Sequence, residues 1–360
     1  MTETAATVEA AAETAADRAA NTADAMSTDL LARTRLAVDP VLRDAVDSLP
    51  ESMRRIAAYH FGWLNADGLP TRRSSGKALR PALVLAAARS LGGRARDALP
   101  GAAAVELVHN FTLLHDDVID RDPIRRHRPT AWAVFGAENA ILAGDAMHSL
   151  AYVLLARDRH PAASQAAGRL ADCVIELCDG QHADCAFERR DGVTLAECVA
   201  MAEHKTGALL GCACALGALY AGADDRAVHA MDGFGRELGL AFQLVDDLLG
   251  IWGDPEVTGK PVGADLAARK KSLPVVAALH SETPAADELA KLYATSRPFT
   301  DAELRRAAEA VDLAGGREWA RASAEQHIAA ARRHLAEAVS DSAAAADLVA
   351  MAELITRRNH

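Results

Sequence analysis

The pattern of apolar and polar residues along the chain is helical over most of its length. From about residue 29 onward, apolar side chains recur at steps of three and four, which places them on one face of an α-helix. The same spacing predicts helices near 78–92, 101–120, 138–158, 162–188, 194–221, 225–253 and 265–280, and three or four shorter helices within 284–358. Sustained alternation of β-branched residues is absent, so we expect essentially no β-sheet.

The helical pattern continues without a linker, which predicts one large all-α domain over residues 29–360. Short turns that contain Gly and Pro separate its helices. Residues 1–28 are instead rich in Ala, Thr, Glu and Asp and contain almost no large apolar side chain. Since little apolar burial is available to offset the entropy of ordering, we expect a mobile, disordered tail there. This tail is either a solvated extension or a segment that docks a partner or an enclosing shell.

The composition narrows the possible functions. The 360 residues are 50% hydrophobic and 25% charged, as in a globular protein, and the net charge is −11. This negative charge argues against nucleic-acid binding, which depends on neutralising phosphates, but it is compatible with an anionic substrate. We expect neither a signal peptide nor an apolar run long enough to form a transmembrane segment. The six cysteines form no CxxC pair or zinc pattern, which favours the reducing cytoplasm.

An acidic motif ends the predicted helix near 101–120. In the segment AVELVHNFTLLHDDVID, Asp116 and Asp120 share one helical face and Asp117 is offset by about 100°. Carboxylates this close repel one another unless cations neutralise them. A solvated helix end is the simpler interpretation, but acidic residues at a helix C-terminus oppose the helix dipole. We therefore interpret the motif as a cation site.

A second acidic pair, Asp246 and Asp247, lies in a later predicted helix. Gln243 is on a similar face, but the residue one turn beyond Asp246 is Gly250. Asp254 is roughly on the face of Asp247, about 10 Å further along an ideal helix. Carboxylates one turn apart suit Mg²⁺, which prefers one or two carboxylates together with water and substrate phosphates. The sequence thus predicts that about two or three Mg²⁺ ions hold a diphosphate between two facing helices.

Basic residues cluster near both acidic motifs. Arg side chains bind phosphate oxygens through paired hydrogen bonds, and Lys supplies a compact charge. The candidate anion ligands are Lys77, Arg80, Arg125, Arg126, Lys205 with Thr206, Lys260, and the pair Lys270 and Lys271. Each cluster alone is more often a solvated surface. Together, in an acidic protein, they indicate anion binding around a metal-loaded cleft.

These residues resemble the trans-isoprenyl (polyprenyl) diphosphate synthase family, and are most like its bacterial geranylgeranyl diphosphate synthases. Two aspartate-rich motifs in order, with these flanking residues, are a specific signal. The family's first DDxxD matches Asp116, Asp117 and Asp120, whereas the second ends at Gly250 and lacks its third carboxylate. The sequence leaves open whether Asp254 or water replaces that carboxylate. The resemblance implies an isoprenoid-synthase fold, which is a single helical bundle around a central apolar cavity, and a homodimer.

The resemblance also implies a role for each candidate residue. Metal binding and catalysis fall to Asp116, Asp117, Asp120, Asp246 and Asp247, with Lys205 as a further catalytic residue. The implied ligands of isopentenyl diphosphate are Lys77, Arg80, His109 and Arg126. The implied ligands of the allylic diphosphate are Arg125, Lys205, Thr206, Gln243, Lys260 and either Lys270 or Lys271.

The implied enzyme is a Mg²⁺-dependent prenyltransferase. It condenses isopentenyl diphosphate with dimethylallyl, geranyl or farnesyl diphosphate to give a longer all-trans prenyl diphosphate. In the family, residues just before the first motif set the product length, and Phe111 followed by the small Thr112 resembles members that form geranylgeranyl diphosphate. Three alternatives stay open. They are a class I terpene cyclase, although its second metal motif is absent, a non-catalytic or regulatory subunit, suggested by Gly250, and a helical scaffold with structural acidic residues.

Overall fold

The computed structural model describes residues 28–71, 76–190, 192–255, 261–295 and 297–356. Nearly all regular structure in these residues is helical, which confirms the all-α prediction. The first helices are α1 (28–47), α2 (Glu51–His60), α3 (Leu79–Ser90), α4 (Leu99–Ile119), α5 (Ala131–Phe135), α6 (Ala137–Arg157), α7 (Ala163–Phe187) and α8 (Leu195–Ala202). They are followed by α9 (Ala208–Tyr220), α10 (Asp225–Trp252), α11 (Ala264–Ala267), α12 (Leu273–Leu279), α13 (Pro284–Tyr293), α14 (Asp301–Leu313), α15 (Gly316–Ala338) and α16 (Ala346–Thr356). A 3₁₀ turn (Ala95–Ala98) precedes α4, and a π-helical turn (Glu203–Gly207) joins α8 to α9.

Helix α9 is apolar on all sides and is surrounded by other helices. Every side chain from Ala208 to Tyr220 is buried, as expected of a helix without a solvent face. It packs against α3 and α10, and α10 in turn packs along α15. A further extensive contact joins α4 to α6. Apolar residues of α3, α4, α6, α9 and α10 therefore share one main core, and smaller cores lie where α10 meets α12 and α15, and around α13 and α14.

Glycine residues allow the central helices to approach closely. A Cβ on Gly217 of α9 would lie 2.3 Å from the carbonyl oxygen of Val84 on α3. On α10, a Cβ on Gly235 would lie 2.3 Å from the carbonyl oxygen of Leu210. Real Cβ atoms do not come this near to backbone, so larger residues would force the helices apart. The small residues of the sequence thus determine how tightly α3, α9 and α10 cross.

Side-chain caps fix the first turns of two helices. Thr194 accepts a hydrogen bond from the backbone N–H of Glu197, and the Glu197 side chain binds the Thr194 backbone N–H, which forms a capping box before α8. Thr300 and Glu303 make the same pair of hydrogen bonds before α14. Each box satisfies two backbone N–H groups that the helix itself leaves free.

The expectation of essentially no sheet needs one addition, a hairpin between α4 and α5. Its strands, β1 (Ile124–Arg125) and β2 (Arg128–Pro129), pair Ile124 with Pro129 and Arg125 with Arg128. The two turn residues, Arg126 and His127, have φ values of 52° and 58°. Positive φ at both central residues is typical of a type I′ turn, which matches the twist of a two-residue hairpin. The hairpin carries the basic segment that follows the first acidic motif.

Three helical expectations are wrong in detail. The stretch 265–280 is interrupted between α11 and α12, where Arg269 has a φ of 50°. The stretch 194–221 contains the π-helical turn. Helix α10 ends at Trp252 and the next residue, Gly253, is extended with a ψ of 149°. Asp254 therefore lies outside the helix, and the helical spacing that relates it to Asp247 does not apply.

The predicted tail lies almost entirely outside the described residues. Residues 1–27 are not described, and residue 28 is the first residue of α1. The disordered tail, its docking role and the domain boundary at 28/29 accordingly stay predictions.

One described helix is long and apolar enough, by length and composition, to cross a membrane. This helix is α6 (Ala137–Arg157), so it meets a criterion that the sequence analysis expected no segment to meet. In the bundle, however, α6 packs against α4 and contributes Ala143, Met147 and Ala151 to the main core. Because core helices pass the same test, the absence of a transmembrane segment stays a prediction.

We expect the Gly217→Ala substitution to destabilise the protein by about 1–3 kcal/mol, because the added methyl group pushes α9 away from the α3 backbone. A matched control is Gly168→Ala in the exposed part of α7, where a Cβ meets nothing within 4 Å. That substitution should stabilise the protein by up to about 1 kcal/mol through helix propensity. Denaturant unfolding of both variants gives the two free energies. Equal effects of the two substitutions would contradict the close-crossing argument.

Candidate active site

The first acidic motif lies at the C-terminal end of α4. Asp116 and Asp120 lie near the Lys205 ammonium, whereas Asp117 turns into the protein and is only 1% exposed. Arg125 Nε donates a 2.6 Å hydrogen bond to Asp117 Oδ1. Burial raises the pKa of Asp117 to about 6, although the Arg125 guanidinium opposes this rise. The helical offset in the sequence thus separates one inward carboxylate from two on the cleft side.

Lys205 supplies positive charge opposite this motif. It lies in the π-helical turn, and its Nζ is 2.5 Å from Asp184 Oδ2 on α7. Burial raises the pKa values of Asp116 and Asp120, and the Lys205 ammonium opposes that rise. Helix α7 can come this close because residue 180 is Gly, where a Cβ would lie 2.5 Å from the Lys205 backbone nitrogen. π-Helical turns are frequent at functional sites, and this one directs a lysine toward the acidic motif.

The second acidic motif, on α10, also has one exposed and one buried carboxylate. Asp246 is exposed, whereas Asp247 is 3% exposed. Asp247 Oδ1 accepts a 2.8 Å hydrogen bond from Gln243 Nε2, and Oδ2 accepts a 2.9 Å bond from the Leu273 backbone N–H. Thr206 Oγ1 donates a 2.7 Å hydrogen bond to Gln243 Oε1. Thr206 and Gln243, both proposed from the sequence, therefore lie together and hold Asp247 in place.

Two adjacent lysines between α11 and α12 have different surroundings. Lys271 Nζ donates hydrogen bonds to the backbone carbonyls of Phe187, at 2.6 Å, and Arg190, at the end of α7. Lys270 is buried among acidic side chains instead. Although burial opposes it, the surrounding carboxylates raise the pKa of Lys270; they are Asp247, Asp265, Asp184 and Asp246. Of the two alternatives from the sequence, the structure places Lys270 with the second acidic motif.

The two acidic motifs face one cleft. The Lys270 ammonium lies near enough to both to counteract the burial that raises the pKa values of Asp120, in the first motif, and Asp247, in the second. Asp184 likewise acts on Asp116 and Asp120 and on Lys270. Lys205 and Lys270 thus lie between the two acidic walls and share Asp184.

Buried basic residues lie along α4, before the first motif. Arg80 Nη1 is 3.1 Å from His109 Nε2. Burial lowers the pKa of Arg80 to about 10, and the Glu106 carboxylate partly offsets this effect. Burial and the Arg80 charge also lower the pKa of His109 well below its usual range. The Arg126 guanidinium lies near Glu106 as well, so three of the four predicted isopentenyl diphosphate ligands are together, with Lys77 exposed at the start of the same segment.

Aromatic side chains from two helices lie below the first motif. Phe111 is five residues before Asp116, which is about 7.5 Å along a helix. Its ring centroid is 4.9 Å from that of His148 on α6, and the His148 centroid is 5.1 Å from that of Tyr152. The neighbouring Thr112 donates a 2.8 Å hydrogen bond to the His109 carbonyl and adds little bulk. Phe111, His148 and Tyr152 thus form an aromatic series beneath the acidic residues.

The cleft residues suit a hard divalent cation that is bound together with a substrate. Asp116, Asp120 and Asp246 present carboxylates there, and like charges are among the causes that disfavour the ionised forms of Asp116 and Asp120. Within the described ranges, no three acidic, His or Cys side chains converge to hold an ion by themselves. Mg²⁺ commonly uses one or two carboxylates and takes its other oxygens from water and substrate phosphates. The arrangement fits Mg²⁺ accompanied by a diphosphate.

Comparison with known proteins identifies the family. The polyprenyl synthetase family model matches residues 67–311. The chain belongs to the polyprenyl synthetase family. It is 51% identical over 330 residues to the geranylgeranyl diphosphate synthase of Mycobacterium tuberculosis, covering 91% of this chain and 93% of that one. It is 48% identical over 294 residues to the (2E,6E)-farnesyl diphosphate synthase of Mycobacterium bovis, covering 81% and 82%.

Solved structures of polyprenyl synthetases have the same fold. The polyprenyl synthetase from Streptomyces coelicolor A3(2) superposes with a TM-score of 0.88 at 45% identity, over 91% of this chain and 99% of that one. The geranylgeranyl pyrophosphate synthetase from Pyrococcus horikoshii gives a TM-score of 0.81 at 29% identity, over 91% and 98%. Family membership confirms the enzyme class, a trans-prenyltransferase. The terpene cyclase, regulatory subunit and scaffold alternatives thereby lose their support.

Two carboxylates at the site of this polyprenyl synthetase were missed by sequence reasoning. Glu106 is buried, accepts a 3.0 Å hydrogen bond from Asn110 Nδ2 and lies near Arg80. A signal was available, since Glu106 is one turn before His109 on the same helical face. Asp184 pairs with Lys205, but it lies in a helix without acidic repetition, so only the packing of α7 reveals it. Lys260 lies outside the described residues, and its assignment stays a prediction.

Substitution of each neighbouring lysine by Met separates their roles. We expect Lys270→Met to lower kcat by about 10²–10³, because a preorganised positive charge beside the diphosphate site is lost. Lys271→Met should leave kcat within a few-fold and lower the free energy of unfolding by about 1–3 kcal/mol, since its hydrogen bonds to α7 carbonyls are lost. Steady-state kinetics and denaturant unfolding of both variants make the comparison. The reverse outcome would assign the catalytic position to Lys271.

Proposed function

We propose that the protein is a Mg²⁺-dependent geranylgeranyl diphosphate synthase. It condenses isopentenyl diphosphate with dimethylallyl, geranyl or farnesyl diphosphate to form an all-trans C20 diphosphate. The observation that carries the proposal is the pair of acidic walls on one cleft, with Lys205 and Lys270 between them. Family membership supplies the reaction class, and the cleft residues support the substrates.

Asp116, Asp120 and Asp246 are the residues that would hold about two or three Mg²⁺ ions, because their carboxylates lie on the cleft. Bound Mg²⁺ supplies Lewis-acid stabilisation of the negative charge that develops on the leaving diphosphate. Asp117 and Asp247 act differently. Their oxygens accept hydrogen bonds from Arg125, Gln243 and Leu273, so they support the cleft from within.

The reaction proceeds by ionisation, condensation and elimination. The C1–O bond of the allylic diphosphate breaks, and the diphosphate leaves with the bonding electron pair. Lys205 and Lys270 stabilise its growing charge. The double bond of isopentenyl diphosphate then attacks the allylic cation, which forms a new C–C bond. Loss of a proton to the departed diphosphate gives the new double bond, and the apolar surroundings keep water away from the cation.

The second substrate binds through the buried basic residues on α3, α4 and the hairpin. Arg80 and His109 are 3.1 Å apart, and Arg126 lies near Glu106, which neutralises part of this charge. A buried arginine group with one carboxylate retains net positive charge for an anion. We infer that isopentenyl diphosphate takes this position, with Lys77 and Arg126 contacting its phosphates.

The C20 product follows from the aromatic series below the first motif. A growing prenyl chain extends away from the diphosphate, and Phe111, His148 and Tyr152 limit its length. Thr112 is small and leaves room beside Phe111. Its most similar relatives described above are named as a geranylgeranyl and a farnesyl diphosphate synthase. The small residue next to Phe111 supports the longer product.

We also propose a cytoplasmic homodimer. The six cysteines are free thiols, four of them buried, which suits a reducing compartment. Large apolar side chains are exposed at the end of α4, in the hairpin and on α6, and a second copy would cover them. They are Ile119, Ile124, Ile141 and Leu142.

Product length tests the role of Phe111. We expect Phe111→Ala to shift the products beyond C20, because the aromatic obstacle is removed, and Thr112→Phe to shift them toward C15. Each variant is incubated with Mg²⁺, isopentenyl diphosphate and dimethylallyl, geranyl or farnesyl diphosphate, and the products are sized after dephosphorylation. Phe111→Tyr keeps the ring and serves as the control. Unchanged products in both test variants would remove these residues from length control.

Metal removal tests the acidic walls. Chelation of divalent ions should abolish condensation, and re-addition of Mg²⁺ should restore it. Asp246→Asn should lower kcat by about 10²–10³, since a cleft carboxylate is lost while the side-chain size is kept. Asp44→Asn, at an exposed position on α1, is the matched control and should behave as the wild type. Full activity after chelation would contradict a metal-dependent reaction.

A further inference from the structure

The second acidic motif lacks its third carboxylate at Gly250, but another carboxylate occupies that place. Gly250 is one helical turn beyond Asp246 on α10. A Cβ on Gly250 would lie 2.2 Å from Asp265 Oδ2, 2.5 Å from its Cγ and 3.0 Å from its Oδ1. The whole Asp265 carboxyl group therefore fills the space into which a side chain at position 250 would project.

Helix α11 and the break after it deliver Asp265 to this place. Asp265 is the second residue of α11, and Lys270 follows beyond the left-handed Arg269. Asp265 lies near Asp247 and Lys270, since it helps to raise the pKa values of both. Asp246 acts on the same lysine. The Asp265 carboxylate thus belongs to the same group of charges as the second motif, although it is distant from it in sequence.

We infer that Asp265 supplies the third carboxylate of the second acidic wall and that Gly250 makes room for it. This inference rests on the Mg²⁺-dependent function proposed above. It assigns Asp265 to the binding of the Mg²⁺–diphosphate group alongside Asp246. It also explains the departure from DDxxD as an exchange of position, because the carboxylate comes from α11 instead of α10.

The inference makes the two positions mutually exclusive. A methyl group at position 250 would occupy the site of the Asp265 carboxyl group and displace it without replacing its charge. An aspartate at position 250, combined with a small residue at 265, would return a carboxylate to nearly the same place. The two positions should therefore behave as a reciprocal pair: Gly250→Ala and Asp265→Ala each lose the carboxylate, and Gly250→Asp with Asp265→Ala restores it.

The experiment measures binding, without turnover. The full chain is heated with inorganic diphosphate at increasing Mg²⁺ concentrations, and the rise in Tm gives the Mg²⁺ concentration for half-maximal stabilisation. Wild type is compared with Asp265→Ala, Gly250→Ala, the double variant Gly250→Asp/Asp265→Ala and the control Asp44→Ala. Tm without diphosphate and the circular dichroism spectrum show that each variant is folded.

We expect Asp265→Ala and Gly250→Ala to require about tenfold more Mg²⁺ than wild type, because a residue that supports metal binding is lost or displaced. The double variant should return to within about threefold of wild type, and Asp44→Ala should not change. Wild-type behaviour of Asp265→Ala, or a double variant as weak as the single variants, would overturn the inference alone. A wild-type chain that Mg²⁺ and diphosphate together do not stabilise would overturn the proposed metal dependence and this inference with it.

Discussion

The site depends on the neutralisation of like charges inside a cleft that is partly closed to water. Carboxylates of α4, α7, α10 and α11 point toward a common space, and their mutual repulsion would oppose folding if nothing balanced it. Lys205 and Lys270 provide that balance, each between carboxylates from different helices. Both lysines are on irregular backbone, one in the π-helical turn and one in the break between α11 and α12. The two interruptions of the helical pattern are thus the places where charge enters the cleft.

Each acidic motif divides its adjacent aspartates between two tasks. Asp116 and Asp246 lie on the cleft, whereas Asp117 and Asp247 are buried and accept hydrogen bonds. The division follows from the helix, since consecutive residues differ by about 100° in direction. Buried carboxyl groups need such partners because an unpaired charge in the interior is costly. The inward aspartates thereby tie the hairpin to α4 and α12 to α10, which keeps the outward ones in position.

The helical bundle supplies the rigid frame for this charge arrangement. Gly217 and Gly235 bring α3, α9 and α10 into close backbone contact, and Gly180 does the same for α7 and the turn that carries Lys205. Close packing of this kind resists small displacements of the helices. The apolar side of the same frame, with Phe111 and His148, limits the space available to a prenyl chain.

The sequence by itself determined the all-α class, the positions of most helices and both acidic motifs, because helical periodicity and residue spacing are local properties. It also placed Asp116 and Asp120 on one face and Asp117 off it. Only the tertiary structure distinguished Lys270 from Lys271, since neighbours in sequence differ there in which helix they contact. It likewise revealed Asp184, Glu106 and Asp265, whose partners are far away in the chain or hidden by burial. Charges from separate helices meet only after packing, and for that reason no pattern within one helix could show that Asp265 fills the space beside Gly250.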